Sequence, residues 1–427
     1  MMEQQSVWAV GIFLAVYGMI IAEKIHRTIV AMIGGALVIA LGIVDQETAL
    51  HHIDFNTLGL LVGMMILVNI TADTGLFKYI AVMAAKKAKG DPVRILVALS
   101  LITAVASAFL DNVTTVLLMV PVTFSIARQL QVHPMPYLIT QILASNIGGT
   151  ATLIGDPPNI MIGSAVKELT FMAFIVHLTP IVALIMAVHV ALFVFLFRNK
   201  IRTTEELKRT IMELDEGETI TDPKLLRKCL AALGLTMLGF FLHQLLHLKS
   251  ATVALAGAFL LLVMAGERVM EKAFAKVEWT TIFFFVGLFV LVAGLIETGV
   301  IARLAAQAIE LTGGELVATS MLVLWLSAIA SAFLDNIPFV ATMIPMIQEI
   351  GNMGVAHLEP LWWSLALGAC LGGNGSLIGA SANLIVAGIA GREGYPITFV
   401  QFLKYGFPLM LLSVVLSNVY IVLRYLL

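Results

Sequence analysis

Ala106-Ser107-Ala108-Phe109-Leu110-Asp111-Asn112 stands in the first half of the chain and returns letter for letter as Ala330-Ser331-Ala332-Phe333-Leu334-Asp335-Asn336. Around it, residues 102–121 align without gaps on residues 326–345 at an offset of 224, with 11 of 20 positions identical. The same offset lays residues 143–159 on 367–383 with 7 of 17 identical, among them Gly148/Gly372, Gly149/Gly373, Gly155/Gly379 and Asn159/Asn383. It also pairs Gly63 with Gly287, and Asp73-Thr74-Gly75 with Glu297-Thr298-Gly299. Apolar composition inflates chance matches, but it does not bring Asp, Asn, Pro and Gly into ungapped register. The chain is a duplication.

Composition says where the two copies live. The 427 residues are 60% hydrophobic and 12% charged, against about 45–50% and about 25% for a soluble globular chain. Stretches 7–22, 29–44, 174–197, 229–248 and 408–423 contain no Asp, Glu, Lys or Arg. They approach or exceed the roughly 20 apolar residues of one helical crossing. The fold class is therefore an all-α, multi-pass integral membrane protein, with the lipid bilayer as its partner. A net charge of −2 and the lack of a basic patch give no reason to expect nucleic acid. Cys229 and Cys370 lie far apart in apolar surroundings, so neither a disulfide framework nor a metal site follows. The stretch 7–22 has no basic residues before it and no small-residue cleavage site after it, and reads as a retained helix.

The loops orient the copies. Lys and Arg collect in residues 23–27, 86–94, 198–228 and 267–276, whereas 45–56 and 355–360 have neither. The positive-inside rule places the first set in the cytoplasm and the N-terminus outside; Lys249 falls outside on this reading and is an exception to it. Spans are expected near 6–22, 27–44, 57–84, 136–165 and 172–197. Residues 93–130 have basic flanks on both sides (Lys89, Arg94, Arg128) and must leave and return on one face. They are expected to form a re-entrant hairpin with its tip at Asp111-Asn112. Five crossings per copy is odd, so the second copy runs upside down, the inverted-repeat plan of many secondary transporters. This gives ten transmembrane helices plus two re-entrant hairpins. The first repeat is 1–197, the cytoplasmic linker 198–228 and the second repeat 229–427, with a hairpin near 317–352. Broken helices are expected near 136–165 and 360–389.

The chemistry collects in two places per copy. Asp111 and Asp335 sit inside apolar hairpins, where an ionised carboxylate costs about 2.5–3.5 kcal/mol and should face a cavity, paired or protonatable. Asn112 and Asn336 add amide donors and acceptors, and Thr114 and Thr115 add hydroxyls. An aspartate that only caps a broken helix would explain one copy; the pair in both halves favours a binding role. The second place is Ser145-Asn146-Ile147-Gly148-Gly149-Thr150-Ala151-Thr152-Leu153-Ile154-Gly155-Asp156-Pro157-Pro158-Asn159. Its glycines and prolines interrupt an apolar span, and backbone freed at that depth must line a cavity or be buried in protein. Ser145, Asn146, Gly149, Thr150, Thr152, Asp156 and Asn159 are the candidate ligands. Gly373, Asn374, Ser376, Ser381 and Asn383 are their counterparts in the second copy. Helix packing through small residues explains the glycines but not Asp156. The copies are unequal: Asn146 is matched by Cys370, Asp156 by Ala380, and Thr114-Thr115 by Pro338-Phe339. The first half is expected to hold more of the coupling-ion chemistry. Nothing resembles a Walker loop, a catalytic triad or a zinc site. No catalytic residue, metal or cofactor is assigned, and an ion gradient or the membrane potential should supply the energy.

Ser107-Ala108-Phe109-Leu110-Asp111-Asn112-Val113-Thr114-Thr115 and residues 145–159 resemble the signatures of the ion transporter superfamily. Within it they are similar to the branch of arsenite permeases, NhaD-type sodium/proton antiporters and P proteins. The resemblance covers nearly the whole chain. It implies a scaffold and a moving transport domain in the cell inner membrane, often as a homodimer. It also implies a small inorganic substrate with H+ or Na+ as coupling ion. Proton-coupled efflux of arsenite or antimonite is the function it favours, because a carboxylate at the tip suits a neutral hydroxide better than a dianion. Sodium/proton antiport, an organic-anion symporter and a gated channel on the same scaffold are the alternatives.

Overall fold

The computed structural model describes residues 2–22 and 24–427, and among them the chain is helical, without a strand. Among the described residues, eight helices are long and apolar enough to cross a membrane. Two of these, Pro92–Phe109 and Leu316–Phe333, are the first arms of the expected hairpins. The remaining six, the shorter apolar helices Arg27–Ala40 and Ser250–Ala265, and two broken helices supply the expected crossings.

The hairpins turn because two residues at each tip are extended. Leu110 (φ −123°, ψ 159°) ends the first arm, and Asp111 (φ −66°, ψ 154°) caps the second, Asn112–Gln129. The second copy repeats this with Leu334 (φ −122°, ψ 152°) and Asp335 (φ −57°, ψ 131°) before Asn336–Asn352. At the base of the first hairpin, the Asp91 carboxylate lies 3.8 Å from Lys208 Nζ of the linker, and Leu130 O accepts from Thr203 of the linker at 2.7 Å. Both ends of that hairpin thus lie beside the linker. Thr221 of the linker donates to Asp73 O at 2.7 Å, fixing the end of helix Phe55–Asp73 to the same face. The base of the second hairpin lies at the opposite end, where Gln348 lines a cavity of about 480 Å³ with His52 and Lys249.

The copies interlock. Helix Arg27–Ala40 packs on Trp279–Glu297 of the other copy, and Ser250–Ala265 packs on Phe55–Asp73. Gly63 and Gly287 make this possible. A Cβ at Gly63 would stand 2.7 Å from Ala254 C, and one at Gly287 would stand 2.6 Å from Ala31 C. Only glycine lets the backbones come so close, the rule for helices that meet in lipid. These four helices form a scaffold. The hairpins and broken helices pack against each other as a second body, Pro92–Phe109 on Met135–Gly149 and Leu316–Phe333 on Glu359–Gly372.

Two expected boundaries need correction. The span expected at 57–84 is two helices, Phe55–Asp73 and Leu76–Lys87. Gly75 between them has φ +83°, and its repeat mate Gly299 has φ +72°, a left-handed conformation that ends a helix readily only at glycine. The segment read as linker to 228 gives way earlier to helix Pro223–Leu242. Asp222 caps that helix through Lys224 N at 3.0 Å and Leu225 N at 2.9 Å, so its polar first turn is helical rather than loop.

Candidate functional site

Four helices begin at one place. Asn112, Pro157, Asn336 and Ser381, the first residues of Asn112–Gln129, Pro157–Ala165, Asn336–Asn352 and Ser381–Arg392, all line a cavity of about 30 Å³. Its volume suits a water or a bare ion. Each helix brings the partial positive charge of its N-terminus to this point. Against them stand the carboxylates of Asp111, Asp156 and Glu278, which line the cavity with Arg27. Asp335 is ion-paired to Arg27 beside it.

The aspartates have different duties. Asp111 caps its helix: one oxygen accepts from Thr114 N at 2.8 Å, and the other accepts from the Thr114 hydroxyl. Asp335 accepts from Ile337 N at 3.0 Å, and its other oxygen meets Arg27. The capping role weighed against binding in the sequence is therefore present at both tips. Asp156 precedes helix Pro157–Ala165 but makes no capping bond, because Pro157 and Pro158 remove the first two donors. It is 1% exposed. Asn112 Nδ2 stands 3.5 Å from its Oδ1, and its Oδ2 has no hydrogen-bond partner among the described residues.

Most other candidate residues form a network behind the cavity, related by the repeat. Thr152 donates to Ala108 O and its mate Ser376 to Ala332 O, tying each broken helix to its hairpin. Asn159 Nδ2 donates to Thr152 O at 2.9 Å, and Asn383 Nδ2 to Ser376 O at 2.9 Å, bridging each break. Across the two copies, Asn146 Nδ2 donates to Asn374 Oδ1 at 2.9 Å and Asn383 Oδ1 at 3.0 Å. The matching contact from the other side is Cys370 Sγ to Asn159 Oδ1 at 3.4 Å. Asn112 Nδ2 reaches this network at Asn146 Oδ1, 3.2 Å away. Ser145 and Thr150 return their hydroxyls to Ile142 O and Asn146 O of their own helix, both at 2.8 Å. Gly149 is a packing residue, since a Cβ there would stand 2.6 Å from Gly155 O. Gly373 faces Ala380 and Gly379 in the same way, with Cβ contacts of 3.2 Å. Thr115 is buried on the second hairpin arm, its hydroxyl without a partner among the described residues. From the candidate set, the cavity thus takes Asp111, Asn112, Asp156, Asn336 and Ser381, with Asp335 reaching it through Arg27.

Two residues of the site were not expected. Arg27 opens helix Arg27–Ala40 and was read as a cytoplasmic loop charge; its Nη1 donates to Asp335 and, at 2.8 Å, to Ser381 Oγ. Glu278 immediately precedes helix Trp279–Glu297, without a side-chain capping bond, and lines the cavity. The offset that pairs the copies puts Asp54 opposite Glu278, the one sequence signal that marked it. Arg27 had none, because its mate is Ala251.

Intramembrane carboxylates at a meeting of broken helices, in an interlocked inverted repeat, define a membrane transporter and not an enzyme. A model of the citrate transporter (CitMHS) family matches residues 17–368. The chain belongs to that family. It is 44% identical to an uncharacterized transporter of Mycobacterium bovis, over 98% of this chain and 99% of that one. It is 41% identical to a 46 kDa membrane protein of Mycobacterium leprae, with 99% of each covered. With the human P protein it shares 36% identity over 98% of this chain and 60% of the P protein. The crystal structure of the Alcanivorax borkumensis YdaH transporter superposes with a TM-score of 0.60, covering 98% of this chain and 97% of that one. At 12% identity that likeness concerns the fold alone. The superfamily and the P protein relationship expected from the motifs stand; the arsenite-permease branch is a narrower statement than the family shown.

Proposed function

We propose that this chain is a secondary active transporter whose coupling cation, a proton or a sodium ion, is taken up at Asp156. The unpartnered, buried Asp156 Oδ2 carries the reading. A carboxylate oxygen held out of water without a donor is costly unless a proton or cation neutralises it. Ser107 Oγ and Thr115 Oγ1, on the two arms of the adjacent hairpin, also lack partners among the described residues. Ala380 stands at the mate position, so this chemistry belongs to the first repeat. Basic residues concentrate at the linker end, which supports a cytoplasmic linker and an outside N-terminus.

The passenger is read from charge. An acidic cavity disfavours an uncompensated anion, so proton-coupled efflux of neutral arsenite or antimonite is the first reading and sodium/proton exchange its alternative. A second reading rests on Arg27 and the four helix N-termini at the cavity. Those groups suit a carboxylate, and an organic anion entering with compensating cations, as the family description of citrate transport suggests, would meet them. Either passenger exceeds the present 30 Å³ and requires the tips to separate.

The test is transport by purified protein in sealed vesicles under imposed proton or sodium gradients, with labelled arsenite, antimonite and citrate in parallel. Wild type should accumulate one of them, or exchange sodium for protons, against a gradient. Asp156→Asn should lose about tenfold or more of coupled flux while eluting as folded protein on gel filtration. Gradient-driven transport unchanged in Asp156→Asn ends the assignment, and flux that only ever runs downhill makes the protein a channel.

A further inference from the structure

Among the described residues, Arg27 is the one basic side chain lining the cavity, and its place is not repeated. Its guanidinium donates to Asp335 and Ser381 and lies 5.0 Å from the centre of the Phe284 ring. It therefore touches the tip of the second hairpin, the start of the second broken helix and the scaffold at once. Asp111, the repeat mate of Asp335, bonds to its own helix, and the mate of Arg27 is Ala251. The fold is symmetric here and the charge is not.

We propose that Arg27 is a built-in counter-ion that occupies Asp335 and so confines the coupling cation to the first repeat. The inference rests on the cation-coupled reading and adds to it which carboxylates are withheld. Two tip aspartates of equal availability would offer two equivalent cation sites, one per copy. A guanidinium paired with Asp335 fills one of them with a charge that does not titrate away, since arginine does not give up its proton. Helix Arg27–Ala40 belongs to the scaffold, so the pair also holds the second hairpin against it until the tips part. Among the described residues, the other ionisable groups around the pair are Glu278 on the scaffold, Asp111 and Asp156 across the cavity, and Tyr17 of the first helix. None of them is basic.

The test is a charge cycle with Arg27→Gln, Asp335→Asn and the double variant, in vesicles with imposed cation gradients. Flux is followed as a function of coupling-cation concentration, and folding by gel filtration and thermal melting. Asp335→Asn leaves a guanidinium facing the cavity without its anion and should raise the half-saturating cation concentration by about tenfold or more. Arg27→Gln frees a second carboxylate and should steepen the cation dependence. The double variant, with the pair neutral, should return both quantities to near wild-type values. A double variant no better than Asp335→Asn, or an Arg27→Gln curve that superposes on wild type, overturns the proposal. Wild type without any cation dependence would instead refute the coupled reading beneath it. A purely structural pair would lower the melting temperature and yield while leaving the cation dependence of the remaining flux unmoved, and that result too counts against the counter-ion.

Discussion

Asp111 and Asp335 carry the same letters around them and do different work. Both cap a helix, but the second oxygen of Asp111 goes to the hydroxyl of Thr114, whereas that of Asp335 goes to a guanidinium. Capping and charge separate cleanly at Asp111, because asparagine caps about as well as aspartate while alanine does not. Asp111→Asn should therefore melt with wild type in detergent, and Asp111→Ala should lose about 1 kcal/mol. Equal destabilisation in both would mean that the charge, rather than the cap, holds the tip. Asp156 was legible in the sequence because prolines follow it and its mate is alanine. Arg27 was not, because its partners lie 308 and 354 residues away and nothing in its own neighbourhood distinguishes it from a loop charge.

At the scale of elements, hairpins and broken helices follow from local rules. An extended Leu-Asp pair, a cap and a proline pair each act within a turn or two, so their positions could be read from the letters. The crossed pairing of scaffold helices could not, although its agents, Gly63 and Gly287, stood out as a matched pair. Gly287→Leu should cost about 1–3 kcal/mol of stability, read as a lowered melting temperature, since its side chain would meet the Ala31–Met32 backbone. Gly388→Ala, which opens onto free space inside helix Ser381–Arg392, should not lower the melting temperature and should add about 0.5–1 kcal/mol, and serves as control. The linker offers a titration. The hydrogen bond from Lys86 holds the Glu216 carboxylate below its ordinary value of 4.5. A lowered pKa stabilises docking above that value and ceases to as pH falls beneath it. Limited proteolysis within 198–222 should therefore quicken below about pH 4.5, and Lys86→Met should remove that pH step. Cleavage that is flat with pH in wild type would remove the Lys86–Glu216 bond from the account.

At the scale of the whole molecule, the scaffold helices touch the hairpins and broken helices at several points. On the side away from the linker, Asn56 of the scaffold donates to Ser164 of the first broken helix at 2.8 Å. If transport moves one body past the other, a disulfide between Asn56→Cys and Ser164→Cys should stop it. The background would lack Cys229 and Cys370, and reductant should restore flux. Undiminished flux in the crosslinked protein would show that these two bodies do not slide.

What the sequence determined by itself was the medium, the duplication, the inversion and the breaks in the helices. Each depends on composition or on residues close together in the chain. The tertiary structure decided which polar groups share the cavity. Once two copies fold through each other, neighbours are set by packing across 200 residues and more, and the repeat constrains them only where both copies keep the same letter. Asp156 and Ala380 line the same cavity, and Arg27 meets Asp335; the mate of Arg27 is Ala251, and nothing near Arg27 in the chain announces its partner.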